Sequence, residues 1–255
     1  MPFVKVTPEK LSQSVVRQIE QLILRGILRP GERLPSERDM ADRLGVSRPS
    51  LRDAIAELAG RGLLSSRPGA GVFVAEVLGS AFSPALIRLF ATHDEAIFDY
   101  IAFRRDMEGL AAERAARLGS ESDLEVIAAI FAKMEAAHAR RDPADEAQLD
   151  AAFHMAIIEA SHNVVMLHML RSMFDLLRQG VFYNRQVLFR NRMTRAQLLE
   201  QHRAIRDAVL GRDPAGARVA VEAHLHYVEA ACIDQIRAEK HATIARQRLE
   251  HEASR

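Results

Sequence analysis

At 255 residues, with 48% hydrophobic residues and a formal net charge of +1, the chain has the length of two ordinary domains, each able to bury a core of its own. A single cysteine, Cys232, excludes an intramolecular disulfide framework and fits a reducing cytosol. No signal peptide and no run of about 18 apolar residues is present, so a soluble, cytoplasmic protein with no membrane partner is expected. The small net charge hides a division: residues 1–75 hold twelve Lys and Arg against eight Asp and Glu, so this part carries +4 and the remainder about −3.

From Pro8 to Gly26, Leu11, Val15, Ile19, Leu22 and Ile23 recur at helical spacing, which predicts a helix packed under the helical hairpin that follows it. Arg29-Pro30-Gly31 turns the chain. Ser36 with Asp39 three residues on reads as a capping box, opening a helix with Met40, Ala41 and Leu44 on its apolar face and Gly45 at its end. Ser47 caps the next helix, in which Leu51, Ile55 and Leu58 form the apolar stripe and Arg48, Ser50 and Arg52 lie on the other face. Two short helices joined by a tight, glycine-containing turn make a helix-turn-helix, whose second helix enters the major groove of DNA. The segments Gly62–Ser66 and Val72–Val74, around the turn Arg67–Gly71, read as the strands of a β-wing.

Gly79, Ser80, Ser83 and Pro84 interrupt the periodicity and mark an interdomain linker. Six helices are expected after it. The first is capped by Asp94 and runs to Leu118; the second is capped by Ser120 or Ser122 and lasts to Asp142-Pro143. The third runs from Pro143 to Ser161 and the fourth from Asn163 to near Gly180. The fifth is capped by Thr194 and ends at Gly211, and the sixth runs from Asp213-Pro214 to about Arg237. The fold class is therefore mainly α. A winged helix-turn-helix over residues 1–75 and a linker over 76–93 precede an all-α antiparallel helical bundle over 94–237, with a charged, frayed tail over 238–255.

The free face of the helix-turn-helix suits double-stranded DNA. Arg38, Arg48 and Arg52 can fork to phosphate oxygens or to guanine O6 and N7, Ser47 and Ser50 can bond phosphate, and Gly69 and Gly71 let backbone approach a groove wall. The plain alternative is a helical hairpin with a solvated basic face. The block LPSERDMADRLGVSRPSLRDAIAELAGRGLL, with Ile27–Gly31 before it and Pro68–Val74 after it, closely resembles the DNA-binding domain of GntR-family bacterial transcription regulators in order, spacing and residue type.

In LDAAFHMAIIEASHN, Asp150 and His154 stand one turn apart on one helix face, and His202 and His224 lie among apolar residues of two later helices. Each histidine alone reads as a hydrogen-bonded core residue. Together, one carboxylate and three imidazoles suit a divalent metal ion, zinc first, with nickel or manganese as alternatives. Residues 95–235 also resemble the effector domain of the FadR subfamily. The resemblance implies that Asp150, His154, His202 and His224 are the ligands, favours His224 over its neighbour His226, and places Arg104 where an arginine reaches into the pocket. Within the subfamily, FHMAIIEASHNVVMLHMLRSMFDLL, Arg185-Gln186 and TRAQLLEQHRAI look like regulators that sense glycolate, lactate or pyruvate, and the complete ligand set favours a small 2-hydroxy acid. Arg104 would take the effector's carboxylate, unless it is a surface salt bridge to Glu108, and Asn163 would add a hydrogen bond. Met155, Met166, Met169 and Met173 read as core filling, and the arginine-rich stretch Tyr183–Arg195 as a solvated loop or one facing a partner subunit or the DNA backbone.

The reading that results is a homodimeric transcription regulator, not an enzyme, whose affinity for operator DNA is set by a small carboxylate effector. It would repress or activate according to where the operator lies relative to the promoter. Two alternatives stand beside it. One is a metal-dependent hydrolase or isomerase, with Glu159 offered as the base; the other is a ligand-independent DNA-binding dimer whose histidines are core residues.

Overall fold

The computed structural model describes residues 10–75, 83–178 and 192–253, and divides into two compact units, Met1–Gly79 and Ser80–Arg255. The first unit contains α1 (Leu11–Leu24), α2 (Glu37–Leu44), α3 (Arg48–Gly60), β1 (Leu64–Arg67) and β2 (Gly71–Val74). Ser36 caps α2 by accepting the Asp39 N–H at 3.2 Å and donating its hydroxyl to the Asp39 carboxylate at 2.8 Å. Gly45, at φ 64°, ends the helix in the left-handed conformation that glycine adopts without steric cost. Ser47 then caps α3 by accepting from the Ser50 N–H. Leu51, Ala54, Ile55 and Leu58 of α3 bury against Val15, Val16, Ile19 and Ile23 of α1. Leu11, expected on that face, is 60% exposed, and Val16 takes the core position instead.

The wing is an antiparallel pair in which Leu64 faces Val74 and Arg67 faces Gly71. Its second strand is tied to the segment before α2, where the Leu34 N–H donates to the Val72 carbonyl and the Val74 N–H to the Glu32 carbonyl, both at 2.9 Å. The wing is thereby fixed to the helix-turn-helix rather than hanging from it.

The second unit holds α4 (Pro84–Thr92), α5 (Asp94–Leu118), α6 (Glu121–Arg140), α7 (Pro143–Ala160), α8 (Val164–Arg178), α9 (Arg192–Leu210) and α10 (Pro214–Ala253). Connections of two or three residues join α5 to α6, α6 to α7, α7 to α8 and α9 to α10, as an antiparallel bundle requires. Ala111, Ala112, Ala115 and Ala116 of α5 are almost fully buried, letting neighbouring helices approach closely along its centre. Ser120, rather than Ser122, caps α6 in a complete capping box with Asp123.

Four boundaries differ from expectation. Within the expected linker, Pro84–Thr92 is helical: Ser83 and Pro84, read as breakers, are its N-cap and first residue, and Ile87 and Phe90 pack on the core. Residues 76–82 of that linker lie outside the described residues. The first turn of α9 starts at Arg192, before Thr194, and α5 begins with Asp94 itself, preceded by His93. The tail expected to fray continues α10 to Ala253, because no glycine or proline follows Gly216 and Ala, Glu, Lys, Arg and Gln dominate the sequence.

Candidate metal centre and nucleic-acid face

Asp150 and His154 of α7, His202 of α9 and His224 of α10 converge inside the bundle, each buried, with one ligand atom from each lying within 4.8 Å of the others. His202 Nε2 is 3.0 Å from Asp150 Oδ1 and 3.3 Å from His154 Nε2, which is itself 3.8 Å from Asp150 Oδ1. The ring of His224 lies 4.4 Å from that of His202 and 5.2 Å from that of His154, between centroids.

The outer nitrogens settle the proton positions. Nδ1 of His202 faces the Leu198 carbonyl at 2.7 Å, Nδ1 of His224 faces Gln201 Oε1 at 3.1 Å, and Nδ1 of His154 faces Glu108 Oε2 at 2.6 Å. All three partners only accept, so each Nδ1 carries the proton and each Nε2 is left as a lone-pair donor. Unprotonated nitrogens of His154 and His202 then face each other at 3.3 Å beside a carboxylate, an arrangement that calls for a cation between them, a metal ion or a proton on one ring. Donors bound at about 2.0–2.1 Å in a tetrahedral site stand roughly 3.3 Å apart, so the residues present fit a divalent metal. Burial, reinforced by His202 and His154, holds His224 well below the ordinary imidazole value of 6.5, and burial likewise lowers His154 despite the facing Glu108. Neutral imidazoles are the form that ligates.

Behind His154 stands a group that the sequence offered only as a partner for Arg104. Glu108 of α5 is 2% exposed; its Oε1 accepts from Arg104 Nε at 2.5 Å and its Oε2 from Arg104 Nη2 at 3.3 Å. Burial by itself would raise its pKa, but the charges and hydrogen bonds of Arg104 and His154 outweigh it and hold the carboxyl at about 2. The i to i+4 spacing showed the Arg104–Glu108 pair, but nothing local showed that it would be buried at the histidine cluster.

On the first unit, Arg38, Ser47, Arg48, Arg52 and Gly69 are exposed and Ser50 half-exposed. Arg52 Nε donates to Glu37 Oε2 at 2.8 Å and Arg48 Nη2 lies 4.0 Å from the same oxygen, so Glu37 gathers both guanidiniums beside the first turn of α3. Gly69, at φ 72°, forms the turn of the wing.

Residues 11–74 match the bacterial regulatory proteins of the gntR family, and residues 99–227 match the FCD domain. A protein of Escherichia coli (strain K12) named for regulation of the L-lactate dehydrogenase operon is 37% identical, with 96% of each chain covered. The chain belongs to the gntR family of bacterial regulators. The Glc operon transcriptional activator of the same strain is 36% identical over 86% of this chain and 87% of its own. The regulator LutR of Bacillus subtilis (strain 168) is 30% identical over 82% and 94%. A solved structure of Streptococcus agalactiae GntR shares the fold, with a TM-score of 0.51 and 24% identity over 86% of this chain and 99% of that one. This gntR-family chain is thus a DNA-binding transcription regulator with an FCD domain. Among its described residues, no helix is long and apolar enough to cross a membrane.

Other expected site residues of the regulator fall in different places. Arg104 is buried at the cluster, 1% exposed, with its guanidinium 4.8 Å from the Phe174 ring centroid; the surface salt bridge to Glu108 is a buried one. Asn163 is not brought to the cluster. Its Oδ1 accepts from the Met166 N–H at the start of α8, past Ser161, which lies seven residues and about 10 Å along the helix from His154. His226 faces away, bonded to the Glu222 carbonyl, and Glu159 pairs with Arg171 at 3.0 Å. Met166 is core as expected, whereas Met169 is 50% exposed. Most of the stretch Tyr183–Arg195, including Arg185-Gln186, lies outside the described residues; Arg195, its last residue, is buried. Burial pushes the Cys232 thiol up to about 12, so it stays protonated at neutral pH.

Proposed function

We propose that the helical unit is the sensor of this regulator, binding a small 2-hydroxy acid such as lactate or glycolate at a divalent metal held by Asp150, His154, His202 and His224. One observation carries the reading: three imidazoles with outward-anchored Nδ1–H groups direct Nε2 lone pairs at one buried carboxylate. A mixed nitrogen and oxygen donor set suits zinc, with nickel or manganese as alternatives. With one carboxylate among four ligands, a divalent ion retains positive charge, which supplies an attraction for an anionic chelator in an open coordination position. Arg104 would add a guanidinium for the carboxylate. The relative named for the L-lactate dehydrogenase operon supports this ligand class.

The winged unit reads a near-palindromic operator as one half of a homodimer, with Arg38, Arg48, Arg52, Ser47 and Ser50 of the helix-turn-helix and Gly69 of the wing against the DNA. Effector binding changes operator affinity to the extent that it favours one arrangement of the dimer over the other. The protein works in the cytoplasm, on DNA, and transforms no substrate.

The test is a thermal-shift screen of the purified protein against small carboxylates, with and without prior chelation. About 100 Kd of a true effector adds roughly 2.7 kcal/mol of stability. A shift with one hydroxy acid that disappears on chelation supports the sensor; no shift with any acid in metal-loaded protein refutes it.

A further inference from the structure

Arg104, Glu108 and His154 form one buried line of charge that ends at the candidate metal ligands. Glu108 lies on α5, outside the four-ligand set, yet its carboxylate spans the gap between a ligand imidazole and a guanidinium. The three ligand histidines are not equivalent in this respect. His202 and His224 give their Nδ1 protons to neutral oxygens, those of Leu198 and Gln201, whereas His154 gives its proton to a carboxylate at 2.6 Å. A carboxylate behind an imidazole fixes its tautomer and ring plane and makes the opposite nitrogen a stronger donor.

We propose that Glu108 is the positioning residue of the metal centre: it orients His154 and raises the basicity of its Nε2, with Arg104 as its partner inside the bundle. This rests on the reading of Asp150, His154, His202 and His224 as metal ligands. A structural ion pair alone would need Arg104 and Glu108 to meet each other; it would not need Glu108 to reach His154 as well. Arg104 and His154 compete for one carboxylate. An anion that draws Arg104 toward itself leaves more of the Glu108 charge on His154, so the carboxylate subsite and the metal are joined through one side chain.

The experiment is a Co²⁺ titration of metal-stripped, full-length protein, followed by visible absorption and by competition with a chelator. Glu108→Gln keeps the size of the side chain and a carbonyl acceptor but removes the charge. We expect it to weaken Co²⁺ binding by about 10- to 100-fold and to shift the absorption bands of the bound ion. Should the buried Arg104 then prevent folding, Arg104→Met/Glu108→Gln removes both charges together and is expected to show the same loss. Undiminished affinity with an unchanged spectrum, in whichever variant folds, overturns the role of Glu108. Failure of the wild-type protein to bind Co²⁺, or binding that survives His202→Ala, overturns instead the metal reading on which it rests.

Discussion

Arg195 of α9 and Glu146 of α7 form a buried ion pair, Nε lying 2.9 Å from one carboxylate oxygen and 3.0 Å from the other, while Nη2 also donates to the His138 carbonyl at 2.7 Å. The pair joins the helix that carries His202 to the helix that carries Asp150 and His154, and through His138 it reaches the end of α6. A small cavity lined by Met134, His138, Glu146, Arg195, Leu199 and His202 touches both the pair and one histidine of the cluster.

Removing one partner leaves the other as an uncompensated buried charge, which costs about 3–5 kcal/mol. Glu146→Ala and Arg195→Ala should each destabilise the helical unit by that amount, read from its urea unfolding. Replacing both residues with apolar ones of similar volume should recover most of it, since the pair's own desolvation penalty also disappears. Equal losses in the double variant and the sum of the single variants would show that the two side chains act independently.

How much of the molecule was legible in the sequence depends on the range of each interaction. Ser36, Gly45, Ser47 and Ser120 act within four residues of their position, so the helix-turn-helix and the start of α6 could be read directly. The four candidate ligands were legible as residue types on apolar helix faces, and their convergence is a product of the bundle. The Arg195–Glu146 pair spans 49 positions, so Arg195 read as part of a solvated loop. Glu108 reaching His154, on a different helix, left no local signal either. Ser83 and Pro84 misled because the same residues that break a helix also begin one.

The apoprotein should lose stability on acidification in two stages. His154 and His224 have folded pKa values below the ordinary 6.5, so as pH falls below 6.5 the unfolded chain takes up protons that the folded chain refuses. Stability therefore falls with pH through that window, and is fully present above it. A second loss comes between 4.5 and about 2, where Glu108 is protonated in the unfolded chain but ionised in the fold. Chemical denaturation at stepped pH after chelation measures both, and His224→Asn should flatten the first stage. A profile that is level between neutrality and the onset of the carboxylate stage would mean that neither histidine is held neutral.

Truncation after Ile236 should leave the bundle as it is. From Arg237 to Ala253 every residue of α10 is exposed, while the buried residues of that helix end at Cys232. Single changes at exposed positions usually shift stability by no more than about 0.5 kcal/mol, and this segment adds no fully buried side chain. The midpoint of thermal unfolding and the Co²⁺ affinity of the shortened protein should both match the full chain, and a large drop in either would assign the extension a partner within the assembly.

The recognition face yields the last expectation. Arg52→Ala and Arg48→Ala should each weaken binding to an operator selected from random duplexes by the wild-type protein, by about 1–3 kcal/mol if the side chain forks to a guanine edge. The helical unit should unfold as before, since both guanidiniums are exposed and their ion pairs to Glu37 are surface contacts of little weight. Glu37 makes the two roles separable. Its carboxylate competes with DNA for both arginines, so Glu37→Gln should raise affinity for scrambled duplex, where backbone charge dominates. The same change loosens both arginines, so if they read base edges the ratio of operator to scrambled affinity should fall. Fluorescence anisotropy on both duplexes over a series of salt concentrations reads all of this. A uniform loss across sequences in Arg52→Ala, with a shallower salt dependence, would place that arginine on phosphate instead of on a base.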